Sequence, residues 1–265
     1  MTARWRPSGR AAPTCCDGDG YADLLLPAEK GSVFFRATAP GEFAPGVACD
    51  LKMGKAPATA CLGDFDGDGR LDVFCVNASG SFLWDNTGSG KFKETFDLTG
   101  ELAYGAGRRG SDCMAGDFNN DGRQDVAIAY SAGHPMLFFN RGFRTFGNAT
   151  GINLGWQNLL PAALDGQTAA CIADLDGDGA QDLVLALKNG EIWAVFRENS
   201  NREARMAVAA LPVGGPNKGP VSVTGWVGKR CLGAWNVQPG VSPGQFGRRD
   251  AGPVTIKWRL PGGKE

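Results

Sequence analysis

The chain has 265 residues, enough for one large all-β domain or two smaller ones, and its formal charge is −1, with 27 Lys and Arg against 28 Asp and Glu. That balance gives no global field to attract nucleic acid or an anionic membrane, and no apolar stretch approaches the roughly 20 residues of a membrane helix. A single histidine, His134, excludes three-histidine and HExxH zinc sites.

The first 13 residues are basic and contain no apolar run, so they are not a signal peptide and are expected to be unstructured. An acidic pattern follows and recurs four times. It reads Cys-Cys-Asp-Gly-Asp-Gly-Tyr-Ala-Asp at 15–23, Asp-Phe-Asp-Gly-Asp-Gly-Arg-Leu-Asp at 64–72, Asp-Phe-Asn-Asn-Asp-Gly-Arg-Gln-Asp at 117–125 and Asp-Leu-Asp-Gly-Asp-Gly-Ala-Gln-Asp at 174–182. Oxygen-bearing side chains stand at loop positions 1, 3, 5 and 9, with Gly at position 6 to allow a tight turn. Such a donor set suits calcium, which takes six to eight oxygens at roughly 2.3–2.6 Å.

The expected ligands are Asp64, Asp66, Asp68, the Arg70 carbonyl and Asp72; Asp117, Asn119, Asp121, the Arg123 carbonyl and Asp125; and Asp174, Asp176, Asp178, the Ala180 carbonyl and Asp182. A weaker site is expected at Asp17, Asp19, the Tyr21 carbonyl and Asp23, because Cys15 puts a soft sulfur at position 1. The helix-loop-helix calcium site needs Glu at position 12, where these loops have Cys75, Ile128 and Leu185. Asp and Gly also build plain turns, but a plain turn does not require oxygens at four fixed offsets. Fourteen of the 28 acidic residues lie in the four loops, so filled loops would leave a net basic surface.

Short apolar runs follow each loop, at 24–26, 73–76, 126–130 and 183–187, and Gly or Pro soon ends them. Each loop is therefore expected to join two strands. Aromatic phrases at 33–36, 82–85, 136–140 and 192–197 mark a third strand, and phrases at 41–43, 90–92 and 144–146 a further one. Asp17, Asp66, Asn119 and Asp176 are 49, 53 and 57 residues apart. A period of that size with three or four strands per unit is the content of one propeller blade.

The phrase Gly-Asp-Phe-Asp-Gly-Asp-Gly-Arg-Leu-Asp-Val at 63–73 resembles the FG-GAP or VCBS repeat, the calcium-loop blade of integrin α-subunit propellers and many secreted bacterial proteins. The resemblance covers residues 14–198 and implies structural calcium in loops between neighbouring strands of a blade. Residues 199–265 have no acidic loop. Their phrases Gln-Phe-Gly at 245–247 and Pro-Val-Thr-Ile-Lys-Trp-Arg-Leu-Pro-Gly-Gly at 253–263 are similar to the ASPIC/UnbV domain that follows such repeats in proteins like cartilage acidic protein. The expected fold is all-β: about four blades of an incomplete propeller, open at both ends, with a small β-rich C-terminal unit against the last blade.

His134 lies in a turn-like phrase with no orienting partner in sequence, and no phosphate-binding glycine loop follows a strand. The leading expectation is a non-enzymatic extracellular or cell-surface interaction module of secreted, periplasmic or surface location, taken from a longer protein, with an unidentified protein or glycan partner. The alternative is a carbohydrate-active enzyme or sugar-binding accessory, with tryptophans 5, 84, 156, 193, 226, 235 and 258 as stacking candidates. Among the eight cysteines, Cys61 and Cys171 precede their loops by three residues and are expected to be buried thiols. A Cys61–Cys75 disulfide across the two strands is the other option.

Overall fold

The apolar run behind each acidic loop is short, bounded by turn residues and rich in residues that suit a pleated surface, and it becomes the second strand of a sheet. The computed structural model describes residues 12–14, 21, 23–26, 31–39, 41–49, 51, 58–78, 80–88, 90–102, 109–148, 166–178, 180–196, 205–208, 221–237, 244–247 and 252–259. The first sheet contains β1 (Ala12–Thr14), β2 (Asp23–Leu26), β3 (Ser32–Phe35) and, after the hairpin β4 (Ala37–Ala39)–β5 (Glu42–Phe43), β6 (Val47–Cys49), in the order β1-β2-β3-β6. The second runs β7 (Ala58–Gly63), β8 (Asp72–Asn77), β9 (Gly80–Gly88) and β10 (Lys91–Glu94). The third runs β11 (Gly110–Gly116), β12 (Asp125–Tyr130), β13 (Met136–Asn140) and β14 (Phe146–Asn148). The fourth has β15 (Gln167–Ala173), β16 (Asp182–Leu187) and β17 (Ile192–Val195).

These are the expected blades. In the second, third and fourth, the acidic loop joins the first strand to the second, and all pairings within the blades are antiparallel. First strands lie side by side, β7 between β1 and β11, and β11 next to β15. Among the described residues, no strand pairing joins the fourth sheet to the first.

Blade-on-blade packing explains why the second strands are apolar throughout. Successive side chains of a strand point to opposite faces. Val73 and Cys75 of β8 pack with Leu25 and Leu51 of the first unit. Phe74 and Val76 point the other way, to Val126, Ile128 and Phe138 of the third blade. Met114, Phe118, Ala127 and Leu137 then meet Leu183, Leu185 and Leu187 of the fourth.

The C-terminal residues form β18 (Arg205–Val208), β19 (Val221–Val227), β20 (Arg230–Val237), β21 (Gly244–Gly247) and β22 (Thr255–Arg259), with sheets β18-β21 and β20-β19-β22. Their placement corrects the expectation of packing against the last blade. Gly247 N donates to Asp117 Oδ2 at 2.9 Å, Gln124 Nε2 donates to Ala234 O at 3.4 Å, and β20 lies beside β7. These contacts go to the second and third blades, whose acidic loops offer the carboxylate and the side-chain amide that the backbone of the C-terminal strands meets.

Cys61 and Cys75 are free thiols, in line with the leading expectation and against the disulfide option; only the burial departs from it. Cys61 stands opposite Phe74 and Cys75 opposite Ala60, so the one-residue offset turns the two sulfurs to opposite faces of the sheet. Cys61 is partly buried and Cys171 is exposed, because among the described residues no blade lies over the face of the fourth blade that carries Cys171. Cys15 and Cys16 lie outside the described residues.

Candidate metal centre

Each described acidic loop is wound by its own carboxylates. Asp64 Oδ1 accepts from the N–H of Gly67 at 2.8 Å and of Asp68 at 3.0 Å, and Oδ2 accepts from Gly69 at 3.0 Å. Asp117 repeats this with Asp121 and Gly122 at 3.0 and 2.9 Å. The winding needs left-handed backbone at loop position 4, which Gly67 and Gly177 supply at φ 79° and 74° and Asn120 at φ 54°.

Position 9 is the structural anchor. Asp72 Oδ2 accepts from Phe65 N at 3.0 Å, and Oδ1 accepts from Asn86 N at 2.8 Å. Asp125 accepts from Phe118 N at 3.0 Å and Asn140 N at 2.8 Å. Asp182 takes Leu175 N at 2.8 Å, and Asp23 takes Ala37 N at 2.9 Å. One carboxylate thus ties the loop to the end of the third strand.

Around these anchors the oxygens converge. Asp64, Asp66 and Asp72 bring carboxylate oxygens within 4.8 Å of one another, and so do Asp174, Asp176 and Asp182. In the third loop, Asp117 Oδ1 and Asn119 Oδ1 both take the Asp121 N–H at 3.0 Å, which brings these two oxygens together. At position 5, Asp68 Oδ1 accepts from Arg70 N at 2.9 Å and Asp178 Oδ1 from Ala180 N at 2.7 Å, and the two three-carboxylate clusters form without these residues. Asp121 Oδ1 likewise takes Arg123 N at 3.0 Å. Asp17 and Asp19 of the first loop lie outside the described residues, and Tyr21 is half-buried.

Burial dominates the electrostatics. Loss of water pushes Asp64 up to about 6, Asp117 to about 7 and Asp72 to about 9, each against the pull of backbone N–H donors. Asp125 is driven well above the carboxylate range by the same cause. Clustered, desolvated carboxylates of one sign call for a countercharge, and an all-oxygen donor set fits a hard divalent cation.

Several residues at the site carry no signature in sequence. Arg144, from the third blade, places its guanidinium 2.6 Å from Asp66 and 2.6 Å from Asp85. Gln124 Oε1 accepts from Asp64 N at 2.8 Å, and Asn140 Nδ2 donates to Phe65 O at 2.9 Å. Each reaches back from one blade to the loop of the blade before. From the C-terminal unit, the Cys231 thiol, which donates to Gly233 O at 3.5 Å, lies beside the Asp64 carboxylate, and the Trp226 ring closes on Gly69 so that an added Cβ would stand 3.0 Å from it. A cleft of about 200 Å³ remains between the second and third loops and β20, lined by Asp66, Arg123, Phe143 and Arg230 among others. Only the recurrence of Gln at position 8, in Gln124 and Gln181, hinted at this from sequence.

His134 is half-buried in the turn before β13. Of the stacking candidates, Trp84 is core, Trp226 covers the second loop, and Trp258 is 59% exposed. Trp5 and Trp156 lie outside the described residues.

A family model described as an FG-GAP-like repeat matches the chain at residues 16–75, 64–128 and 117–185, each match running from one acidic loop into the strand after the next. Among curated proteins, integrin alpha-4 of Xenopus laevis is 29% identical over 148 residues, covering 48% of this chain. The chain spans only 14% of that relative's length. An Agrocybe aegerita lectin described as recognising non-reducing terminal N-acetylglucosamine is 19% identical with a TM-score of 0.44, over 72% of this chain and 52% of the lectin. The V. cholerae biofilm matrix protein Bap1 is 13% identical with a TM-score of 0.39, over 94% of this chain and 50% of its own. Among the described residues, no helix is long and apolar enough to cross a membrane.

Proposed function

Since the chain belongs to the FG-GAP-like repeat family, we propose that it is a non-enzymatic, calcium-stabilised propeller module for protein interaction outside the cell or at its surface. The observation that carries this reading is the convergence of three carboxylates at the same repeat offsets in two separate loops. Calcium at Asp64, Asp66 and Asp72, at Asp117, Asn119 and Asp125, and at Asp174, Asp176 and Asp182 would neutralise oxygens that burial strands without water. Its role is structural: it fixes the loop that joins the first two strands of a blade. Such loops suit compartments where calcium is millimolar, and the likeness to part of an integrin α-subunit supports a surface or secreted setting.

Two units make up this reading, the repeats over 14–198 and an ASPIC/UnbV-like unit over 199–265. The gathering of β19, β20 and β22 into one sheet supports the second. Because that unit lies over the second and third loops, the fourth is the most open of the three described loops: Asp176 is exposed, and Leu175 is 46% exposed.

Thermal melts in millimolar calcium and in excess EDTA test the proposal. A ligand that binds only the folded state adds about 2.7 kcal/mol per site at a hundredfold excess over Kd. A melting temperature that is the same in both conditions would falsify the metal assignment.

A further inference from the structure

The fourth blade keeps an apolar face that no other described blade covers. In the repeat, loop position 2 is Phe65, Phe118 and Leu175. Phe65 and Phe118 are 1% and 2% exposed beneath the following blade, whereas Leu175 is 46% exposed. Strand register carries the comparison further. Leu83 pairs in its blade as Leu137 and Ala194 do in theirs; the first two are buried and Ala194 is exposed. Phe74 and Ala127 are buried, while their equivalent Val184 is only partly so. Met114 is buried where Cys171 is exposed. Ile192 and Phe196 complete the surface at 76% and 58% exposure. The strand positions of this face carry no charged side chain. Positions open to water have no physical need for that composition, and a contiguous apolar patch marks a contact surface.

What seats on this face is shown by the preceding junctions. There the cover is the opposite face of an FG-GAP blade, formed by Val126, Ile128 and Phe138 over the second blade and by Leu183, Leu185 and Val195 over the third. The matching face of the first blade is Leu24, Leu26, Val33 and Phe35, all partly exposed and all apolar. Among the described residues, one face of each kind is therefore left without a blade over it.

We infer that the exposed face of the fourth blade binds the first blade of a second copy of this chain. A two-fold axis lets each copy offer its fourth blade to the other's first, so both faces are covered at once and the dimer closes. The junction continues the blade-on-blade packing already built three times within the chain. It rests on the family's blade architecture and not on the calcium reading.

The test is the mass of the full chain by sedimentation or light scattering, in calcium and again in EDTA, for the wild type and for the double variant Ile192→Lys, Phe196→Glu. Both substituted side chains are exposed, so the variant's fold, checked by its circular dichroism melt, is expected to be intact. Wild-type protein is expected at twice the mass of one chain and the variant at the single mass. Cys171 gives a second readout: its reaction with a maleimide is expected to be several-fold slower in wild type than in the variant. A dimer whose melt ignores calcium would reject the metal assignment and leave this inference standing. A wild-type monomer whose Cys171 reacts at the variant's rate hands the face to another protein's blade and overturns the inference, as does an assembly that survives the double substitution.

Discussion

Aspartates at different loop positions do different work, and substitution separates them. Asp72 is buried and accepts from two buried backbone donors, on Phe65 and Asn86. Asp72→Ala leaves both N–H groups without acceptors, at about 1–3 kcal/mol each, and is expected to lower the melting temperature even in EDTA. Asp176 is exposed and accepts a local bond from Asp178 N. Asp176→Ala is expected to leave the EDTA melt within about 0.5 kcal/mol of wild type and to remove part of the calcium-dependent rise. Proton linkage adds a second expectation. Asp64, Asp117 and Asp72 titrate at about 6, 7 and 9 in the folded, metal-free protein, against 3.8 for a free aspartate. Between these values the native state holds more protons than the unfolded chain, so metal-free stability is expected to fall as pH rises from about 4 to about 9. Calcium needs the ionised carboxylates, so its stabilising effect is expected to grow across the same window and its binding to release protons. Melts at pH 5 and pH 8, with and without calcium, read both trends.

At the level of elements, blades are joined by polar locks as well as by apolar packing. Gln124 reaches from the third blade to the Asp64 N–H, over Gly63. A Cβ at Gly63 would stand 2.6 Å from Gln124 Oε1 and 2.7 Å from the Phe65 ring. Gly63→Ala is expected to cost about 1–3 kcal/mol through overpacking. Gln124→Leu keeps the volume but orphans the Asp64 N–H, and is expected to cost about as much. Denaturant titration of both variants checks this, and a cost near zero for either would show that the junction is loose. Beyond the recurring Gln at position 8, these locks could not be read in sequence, because a glutamine at a loop end has many local uses. Its partner lies 60 residues away and is chosen by the blade angle. Strand identity, by contrast, could be read directly. Val73, Phe74, Cys75 and Val76 alternate between two apolar neighbours, and an unbroken apolar run of that length between turn residues reads as a strand buried on both faces.

For the whole molecule, the C-terminal unit rests on the loops of the second and third blades, through Gly247 on Asp117, Cys231 on Asp64 and Trp226 on Gly69. Its seating is therefore expected to depend on those loops being wound. Hydrogen exchange should show β20 and β21 losing protection when calcium is chelated, ahead of β8 and β12, whose strands are buried between blades. Equal loss in all four strands would mean that the unit unfolds together with the propeller and is not held by the loops.

Residue order alone determined the acidic loops, their strand flanks, the blade period and the all-β class, because each of these follows from short-range spacing: oxygens at alternate loop positions, Gly or Asn where the backbone turns left-handed, and apolar runs of strand length. Tertiary structure decided what touches the loops and which faces remain open. The C-terminal unit crosses to Asp117 from 130 residues away, Arg144 reaches Asp66 across 78, and Cys171 stays exposed where Met114 is buried. The physical reason is the same in each case. A repeat specifies its own fold locally, whereas the cover on each blade depends on how many blades follow it and on where the last segment of chain comes to rest.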